Sequence, residues 1–299
     1  MEFNQEALEA AIYYTNERES IRQKKEAGLP KPWTDDPVLQ QYSFTNILRR
    51  HDKTSRFLID NYYSRKEDCP FEEALFNAMV FRYFGSIAYA KEVGWTSLDE
   101  LKDPFRLEYK LLDAVSAVRK RGEKPFTAAY VVTNAGLSLP KEQVVINHFL
   151  MPFLRHFPTL KKIWEEDSKP ARWRPLAEYM VQNVNGCGAF MAKEILQDVT
   201  YTHILQGYRD KNEWTPMGPG AIRGMNRILG EPLTSSKGKD LNAVRKLREI
   251  LMENFKPHML VVSSEFDLHS VQFALCEIDK MLRTRNKEGR PKRKYSGRK

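Results

Sequence analysis

Residues 174–230 read RPLAEYMVQNVNGCGAFMAKEILQDVTYTHILQGYRDKNEWTPMGPGAIRGMNRILG, and the reading of the fold starts from this stretch. Leu176, Tyr179, Met180 and Val184 recur at helical spacing, as do Phe190, Met191, Ile195, Leu196 and Val199 beyond them. Between the two runs stands Asn185-Gly186-Cys187-Gly188, whose glycines can take positive φ and let a ligand approach the backbone. The spacing predicts helix, tight turn, helix. Backbone N–H groups after such a turn sit at a helix N-terminus, where a phosphate is favoured. A second glycine-rich turn, Gly218-Pro219-Gly220-Ala221, opens another helical run. One such turn can simply join two packed helices; two in one short segment favour phosphate binding.

Helical periodicity extends outward from there. Residues 4–27 place Leu8, Ala11, Ile12 and Ile21 on one side, with Gly28 as a stop. Three prolines make residues 28–42 an extended connector. Ser43 or Thr45 can then cap a helix carrying Ile47, Leu48, Phe57 and Leu58, in which Arg49 and Asp52 share a face and can pair. Residues 71–94 are apolar on most faces and predict a central core helix. Arg82 stands in its middle; a buried arginine needs a partner, so it is either an ion-pair member or a ligand for an anionic group. An amphipathic helix follows, closed by a basic turn and Gly122. Residues 128–133 form a β-like run, open between short strand and helix. Residues 141–167 continue as helix, with Pro152 placed to kink or split it. Two amphipathic helices come last: one capped by Asp240, and one turning Leu268, Val271, Leu275, Ile278 and Leu282 inward.

The 299 residues, 41% hydrophobic, can bury a substantial core. Of the net charge of +9, residues 283–299 carry +8. Such a basic arm is either a solvated tail or a contact for a polyanion, nucleic acid first, with Arg290, Lys292 and Arg293 as candidate DNA contacts. Cys69, Cys187 and Cys276 are far apart and fit no metal spacing, so a reduced cytosolic protein without a structural metal is expected. The N-terminus is unlike a signal peptide, and no run approaches the ~18 apolar residues of a membrane helix.

A helix-hairpin-helix grips a DNA phosphate without reading sequence, and an all-helical chain carrying one first suggests the DNA glycosylase superfamily. That motif has a lysine in the second helix and a downstream aspartate; here Phe190 and the neighbourhood of Tyr208 and Asp210 stand in those places. Motifs spread over residues 43–295 carry a closer resemblance. They are Phe44-Thr45-Asn46 with Arg49 and Asp52, Phe81-Arg82-Tyr83-Phe84, and Phe126-Thr127-Ala128-Ala129-Tyr130. Further on come Gly186-Cys187-Gly188-Ala189-Phe190-Met191-Ala192 with Asp198-Val199-Thr200-Tyr201, and Gly218-Pro219-Gly220 with Arg223-Gly224. The last is Leu275-Cys276-Glu277-Ile278-Asp279-Lys280, running into Gly289-Arg290-Pro291. Together they resemble the α-glutamyl/putrescinyl thymine pyrophosphorylases, or amino acid:DNA transferases, of DNA-hypermodifying bacteriophages. Those proteins are similar to the helical domain found with 5-hydroxymethyluracil DNA kinases. No Gly-x-x-x-x-Gly-Lys-Ser/Thr loop occurs, so this chain is not expected to be the kinase itself.

The resemblance implies an all-α, DNA glycosylase-like helical fold with a helix-hairpin-helix at about 176–199. Residues 1–40 would form a helical extension and linker, 41–282 the transferase domain, and 283–299 a basic, flexible tail. It also implies a reaction: the pyrophosphate on pyrophosphorylated 5-hydroxymethyluracil in DNA is displaced by the amine of an amino acid or a polyamine. DNA would be held at Gly186, Gly188 and Ala189. Arg49, Arg82, Arg223 and Lys280, with the backbone of Gly218 and Gly220, would stabilise the leaving pyrophosphate. Asp198 is the first candidate for the carboxylate that orders or deprotonates the amine, with Glu277 and Asp52 as alternates. Asp198 could instead cap a turn, and Glu277 with Lys280 could be a surface pair. Tyr201 and Trp214 suit stacking of a flipped base, although such residues are more often core. The implied partners are double-stranded DNA carrying modified pyrimidines, the amine donor and, as a further candidate, the hydroxymethyluracil DNA kinase, in the cytoplasm of an infected host cell. No cofactor is required by the sequence, though a divalent ion could assist the leaving group. Two rivals stand beside this reading: a glycosylase excising a modified base, and a non-catalytic DNA-binding partner of the kinase.

Overall fold

A computed structural model describes residues 2–65, 68–127 and 136–288. The β-like run at 128–133, with Ala128, Ala129 and Tyr130, lies outside these, as do Arg290, Lys292 and Arg293 of the basic tail. Among the described residues the chain is helical and without a strand, and Gly85 and Phe126 form an isolated bridge. The all-α expectation is met. No helix among them is long and apolar enough to cross a membrane.

In chain order the main helices are α1 (Gln5–Glu26), α2 (Pro37–Gln41), α3 (Lys53–Asn61), α4 (Phe71–Phe84), α5 (Ile87–Val93) and α6 (Pro104–Lys120). They continue as α7 (Phe157–Glu166), α8 (Arg174–Asn183), α9 (Ala189–Val199), α10 (Pro219–Leu229), α11 (Leu241–Glu253) and α12 (Leu268–Arg285). The chain forms two compact units: residues 1–52 with 211–299, and residues 53–210. The span expected for the transferase domain, 41–282, runs through both.

In the first unit, α1 starts where the Asn4 side chain accepts the Ala7 N–H at 2.9 Å, a cap that satisfies one orphan donor. Its stripe of Leu8, Ala11 and Tyr14 joins Met225 and Ile228 of α10, Val244 and Leu247 of α11, and Val271, Leu275 and Ile278 of α12 in one core. Asp240 caps α11 as expected, accepting the Asn242 N–H at 2.9 Å. The continuous helix predicted from Ser43 or Thr45 does not form. The chain stays irregular to Leu48, makes a 3₁₀ turn at Arg49–His51, and begins α3 only at Lys53. Two carboxylates that capture backbone N–H groups explain the difference. The Thr45 N–H is taken by Glu277 Oε2 at 3.3 Å and the Asn46 N–H by Asp52 Oδ1 at 3.0 Å.

In the second unit, α4 is buried along nearly its whole length, and two of its polar side chains bond to the segment at residues 95–98. Asn77 donates to the Thr96 carbonyl and accepts the Thr96 N–H, each at 2.8 Å. Glu73 accepts from Trp95 Nε1 at 2.7 Å and from the Leu98 N–H at 2.6 Å. Gly85 ends α4 in a left-handed conformation, so residues 71–94 form two helices rather than one. The helix expected over 141–167 is divided around Pro152: a π-helical stretch at Val144–Leu150 and a 3₁₀ turn at Leu154–His156 precede α7.

The tightest constraint in the first unit lies where α10 meets α12. A Cβ placed on Gly224 would stand 2.2 Å from the Leu275 carbonyl oxygen, so the helices approach only because that atom is missing. Overpacking of this kind costs about 1–3 kcal/mol. Gly224→Ala is therefore expected to lower the melting temperature by several degrees, measured by circular dichroism. An unchanged Tm would mean that the helices part without cost.

Candidate functional site

One face of α12 gathers most of the predicted site residues of the first unit. Gln272, Phe273, Cys276, Glu277 and Lys280 recur at near-helical spacing along it. Glu277 Oε2 accepts from Lys280 Nζ at 2.7 Å as well as from the Thr45 backbone, and Lys280 Nζ lies 4.4 Å from the centre of the Phe44 ring. The Arg49 guanidinium sits 5.4 Å from the Phe273 ring centre and pairs with Asp52 at 3.1 Å. The same helix face meets the start of α10: a Cβ on Gly220 would lie 3.2 Å from Cys276 Sγ, and one on Gly218 3.9 Å from Gln272 Nε2. No side chain caps that helix N-terminus. Further along α10, Arg223 reaches Asp279 at 3.4 Å, and Arg227 pairs with both Asp279 and Glu288.

The degree of burial is what makes this cluster interesting. The side chains of Arg49, Asp52, Glu277 and Lys280 are 13–19% exposed, shielded enough to strengthen their electrostatics yet still open to a ligand. The Glu277–Lys280 pair is accordingly not a surface pair. Arg18 of α1 completes the arrangement, donating to the Thr45 carbonyl at 3.0 Å and to Asn46 Oδ1 at 2.6 Å. Tyr14 lies close by; burial first, and the Glu277 charge second, push its phenol well up.

Arg82 and Asp198 occupy the second unit and pair with each other at zero side-chain exposure. Arg82 also donates to Ser55 Oγ at 3.0 Å, and the Tyr63 hydroxyl donates to Asp198 Oδ2 at 3.1 Å. Burial, with the Asp198 charge next, pushes the Tyr63 phenol well up, so it stays protonated as a donor. In this conformation neither charge of the pair reaches a substrate. Asp198 does not cap a turn by default; it answers Arg82. Tyr201 is half-buried, its ring centre 6.3 Å from that of Tyr63, and Trp214 is half-buried in the first unit.

The turn between α8 and α9 is where the sequence placed it. Gly186 has φ of +72°, and a Cβ there would lie 2.5–2.7 Å from the Phe149 ring, so no other residue fits. Gly188 precedes α9 without a side-chain cap; it and Gly186 are exposed and Ala189 is half-exposed. Between them Cys187 is buried, its thiol pushed up to about 12 by burial, which makes it inert near neutral pH. No group of three or more His, Cys, Asp or Glu able to hold a metal occurs among the described residues.

Residues 5–290 match the family described as 5-hmdU DNA kinase, helical domain. The chain belongs to that family. The 5-hmdU DNA kinase of Bacillus phage SP10 is 26% identical over 235 residues, which cover 73% of this chain and 36% of that protein. The chain thus spans little more than a third of that relative's length. No solved structure matches it.

The helical-domain match begins within α1, the segment that the sequence reading set aside as an extension. Arg18, Gln272 and Phe273 of the α12 cluster were missed by that reading. Arg18 was legible in principle, since it continues the stripe of Ala11 and Tyr14 and so puts a cation on a buried face. Phe273 carries no local signal. For the second unit, removing one member of a buried ion pair strands the other, at about 3–5 kcal/mol. Asp198→Ala is expected to lower the guanidinium midpoint sharply in chemical denaturation, and Asp198→Asn less so. A midpoint for Asp198→Ala equal to that of the parent would remove the pair from any structural role.

Proposed function

We propose that this chain is a DNA-hypermodification transferase acting on pyrophosphorylated 5-hydroxymethyluracil in DNA. Membership of the 5-hmdU DNA kinase helical-domain family supports a role in phage thymine hypermodification and a DNA substrate. The absence of a Walker-type phosphate loop from this sequence argues against phosphoryl transfer by the chain itself. The observation that carries the finer reading is the half-buried cluster of Arg49, Asp52, Glu277 and Lys280 beside the uncapped start of α10.

In the proposed reaction the amine lone pair attacks the 5-methylene carbon. The carbon–oxygen bond breaks, and pyrophosphate leaves with the electron pair. Arg49, Lys280 and Arg223, with the backbone N–H groups at Gly218–Gly220, take up its negative charge. The new ammonium loses its proton to a carboxylate, for which the partly exposed Glu277 and Asp52 are better placed than the enclosed Asp198. The turn at Gly186–Ala189 would serve as a helix-hairpin-helix against a DNA phosphate, and Arg290, Lys292 and Arg293 would add nonspecific affinity. Either Tyr201 or Trp214 would stack on the extruded base. The donor is an amino acid or a polyamine.

The deciding test incubates the protein with duplex DNA bearing the pyrophosphorylated base and a mixture of amino acids and polyamines, followed by nucleoside mass spectrometry. A nucleoside heavier by one amine, with matching pyrophosphate release, is expected. Free base with abasic sites would replace this reading with a glycosylase, and unchanged but bound DNA would replace it with a binding module. Glu277→Gln keeps the bond to the Thr45 N–H but cannot take a proton. It is expected to slow transfer by about 10²–10⁴-fold with DNA affinity kept.

A further inference from the structure

The first unit holds a cavity of about 220 Å³ whose lining is distinct from the α12 cluster except at Arg18 and Phe44. It is formed by α1 and the connector that follows, and its character comes from Arg18, Lys25, Lys31, Trp33, Tyr42 and Phe44. Three cations line it, three aromatic rings line it, and no carboxylate does.

Much of this wall is set in advance. Lys24 Nζ donates to the Trp33 carbonyl at 2.9 Å and Trp33 Nε1 to the Leu29 carbonyl at 2.7 Å, which together orient the indole. Tyr42 and Phe44 are buried. Arg18 is anchored through Nε and Nη2 to Thr45 and Asn46, while its Nη1 is buried and has no acceptor. A buried donor without an acceptor is costly, and an arriving anion relieves that cost. Lys25 and Lys31 are exposed, and Lys31 Nζ lies over the Trp33 ring, 5.3 Å from its centre, so an aromatic ring and a cation stand together.

The geometry points to a nucleotide site: the cavity takes one nucleoside 5′-phosphate unit, its base against Trp33 and its phosphate among Lys25, Lys31 and Arg18. Cations alone would suit any anion, and aromatic walls any apolar ring. The two in one small cavity suit a planar ring that carries a phosphate. Its volume falls below the roughly 300–1,000 Å³ of drug-sized sites, which leaves room for one nucleotide rather than a run of bases. The unit is either a free mononucleotide or one nucleotide of a single strand. The site does not depend on the amine-transfer reading: Lys25 and Lys31 lie outside the α12 cluster, and Arg18, which adjoins it, takes no part in the proposed transfer.

The test is isothermal titration of the full chain with thymidine 5′-monophosphate, thymidine, inorganic phosphate and a short oligothymidylate. The nucleotide or the oligonucleotide is expected to bind about tenfold or more tightly than thymidine or phosphate alone. The double variant Lys25→Gln/Lys31→Gln changes only exposed side chains and should weaken that binding about tenfold with an unchanged circular-dichroism spectrum; Trp33→Ala should do likewise. Equal affinity for mononucleotide and oligonucleotide assigns a free nucleotide, and binding of the oligonucleotide alone assigns a strand. The proposal fails if neither binds, if phosphate alone binds as tightly, or if binding survives both variants.

Discussion

An arginine and an aspartate taken out of water can be stable only against each other, and in the second unit that requirement determines how α4 and α9 are matched. Each ion loses several kcal/mol of hydration, and Coulombic attraction returns it only when the geometry is good and the remaining polar atoms are satisfied. Ser55 and the protonated Tyr63 supply two of those bonds, one to each partner. Sliding either helix by one residue would turn Arg82 or Asp198 away and leave a lone buried charge. The pair therefore fixes register more than it adds stability. It anchors the far end of the helix whose near end carries the exposed turn at Gly186–Gly188, so the amides of that turn are held in a defined direction.

The first unit uses the same residue types at a different depth. Arg49 with Asp52 and Glu277 with Lys280 are each three residues apart, a spacing that on a solvated helix would be worth a few tenths of a kcal/mol. Here each carboxylate also accepts a backbone N–H of residues 45–46, and each cation lies over a phenylalanine ring. Two ordinary pairs thereby become parts of one ordered patch. Depth, not residue type, separates the two arrangements: complete burial leaves Arg82 and Asp198 no access to a ligand, whereas the α12 cluster keeps some.

Much of the helical layout was legible because periodicity and capping are local. The stripes of α1 and α12, the Asp240 cap and the glycine turn before α9 all depend on neighbours within a few residues. What the sequence hid depends on distant partners. The helix expected from Ser43 fails because Thr45 finds Glu277, 232 residues away. Asp198 stood out as a carboxylate near a hairpin, yet its role is set by Arg82, 116 residues earlier. Its residue type was readable; its exposure was not. Arg18 looked like one more charge on an amphipathic helix until the fold laid residues 44–46 across it.

Those residues also explain how one patch could serve a displacement reaction. In the free protein, Arg49 and Lys280 are neutralised by Asp52 and Glu277, so a cation site and a base site coexist without an unpaired charge. A pyrophosphate group entering beside α10 would compete for both cations, since phosphate oxygens make strong charge-assisted bonds to arginine and lysine. Each carboxylate would then lose its nearest counter-charge and stand open to the proton that an attacking amine must shed. Leaving-group stabilisation and base activation would thus be one event, with the N–H groups of Thr45 and Asn46 keeping the carboxylates in place throughout.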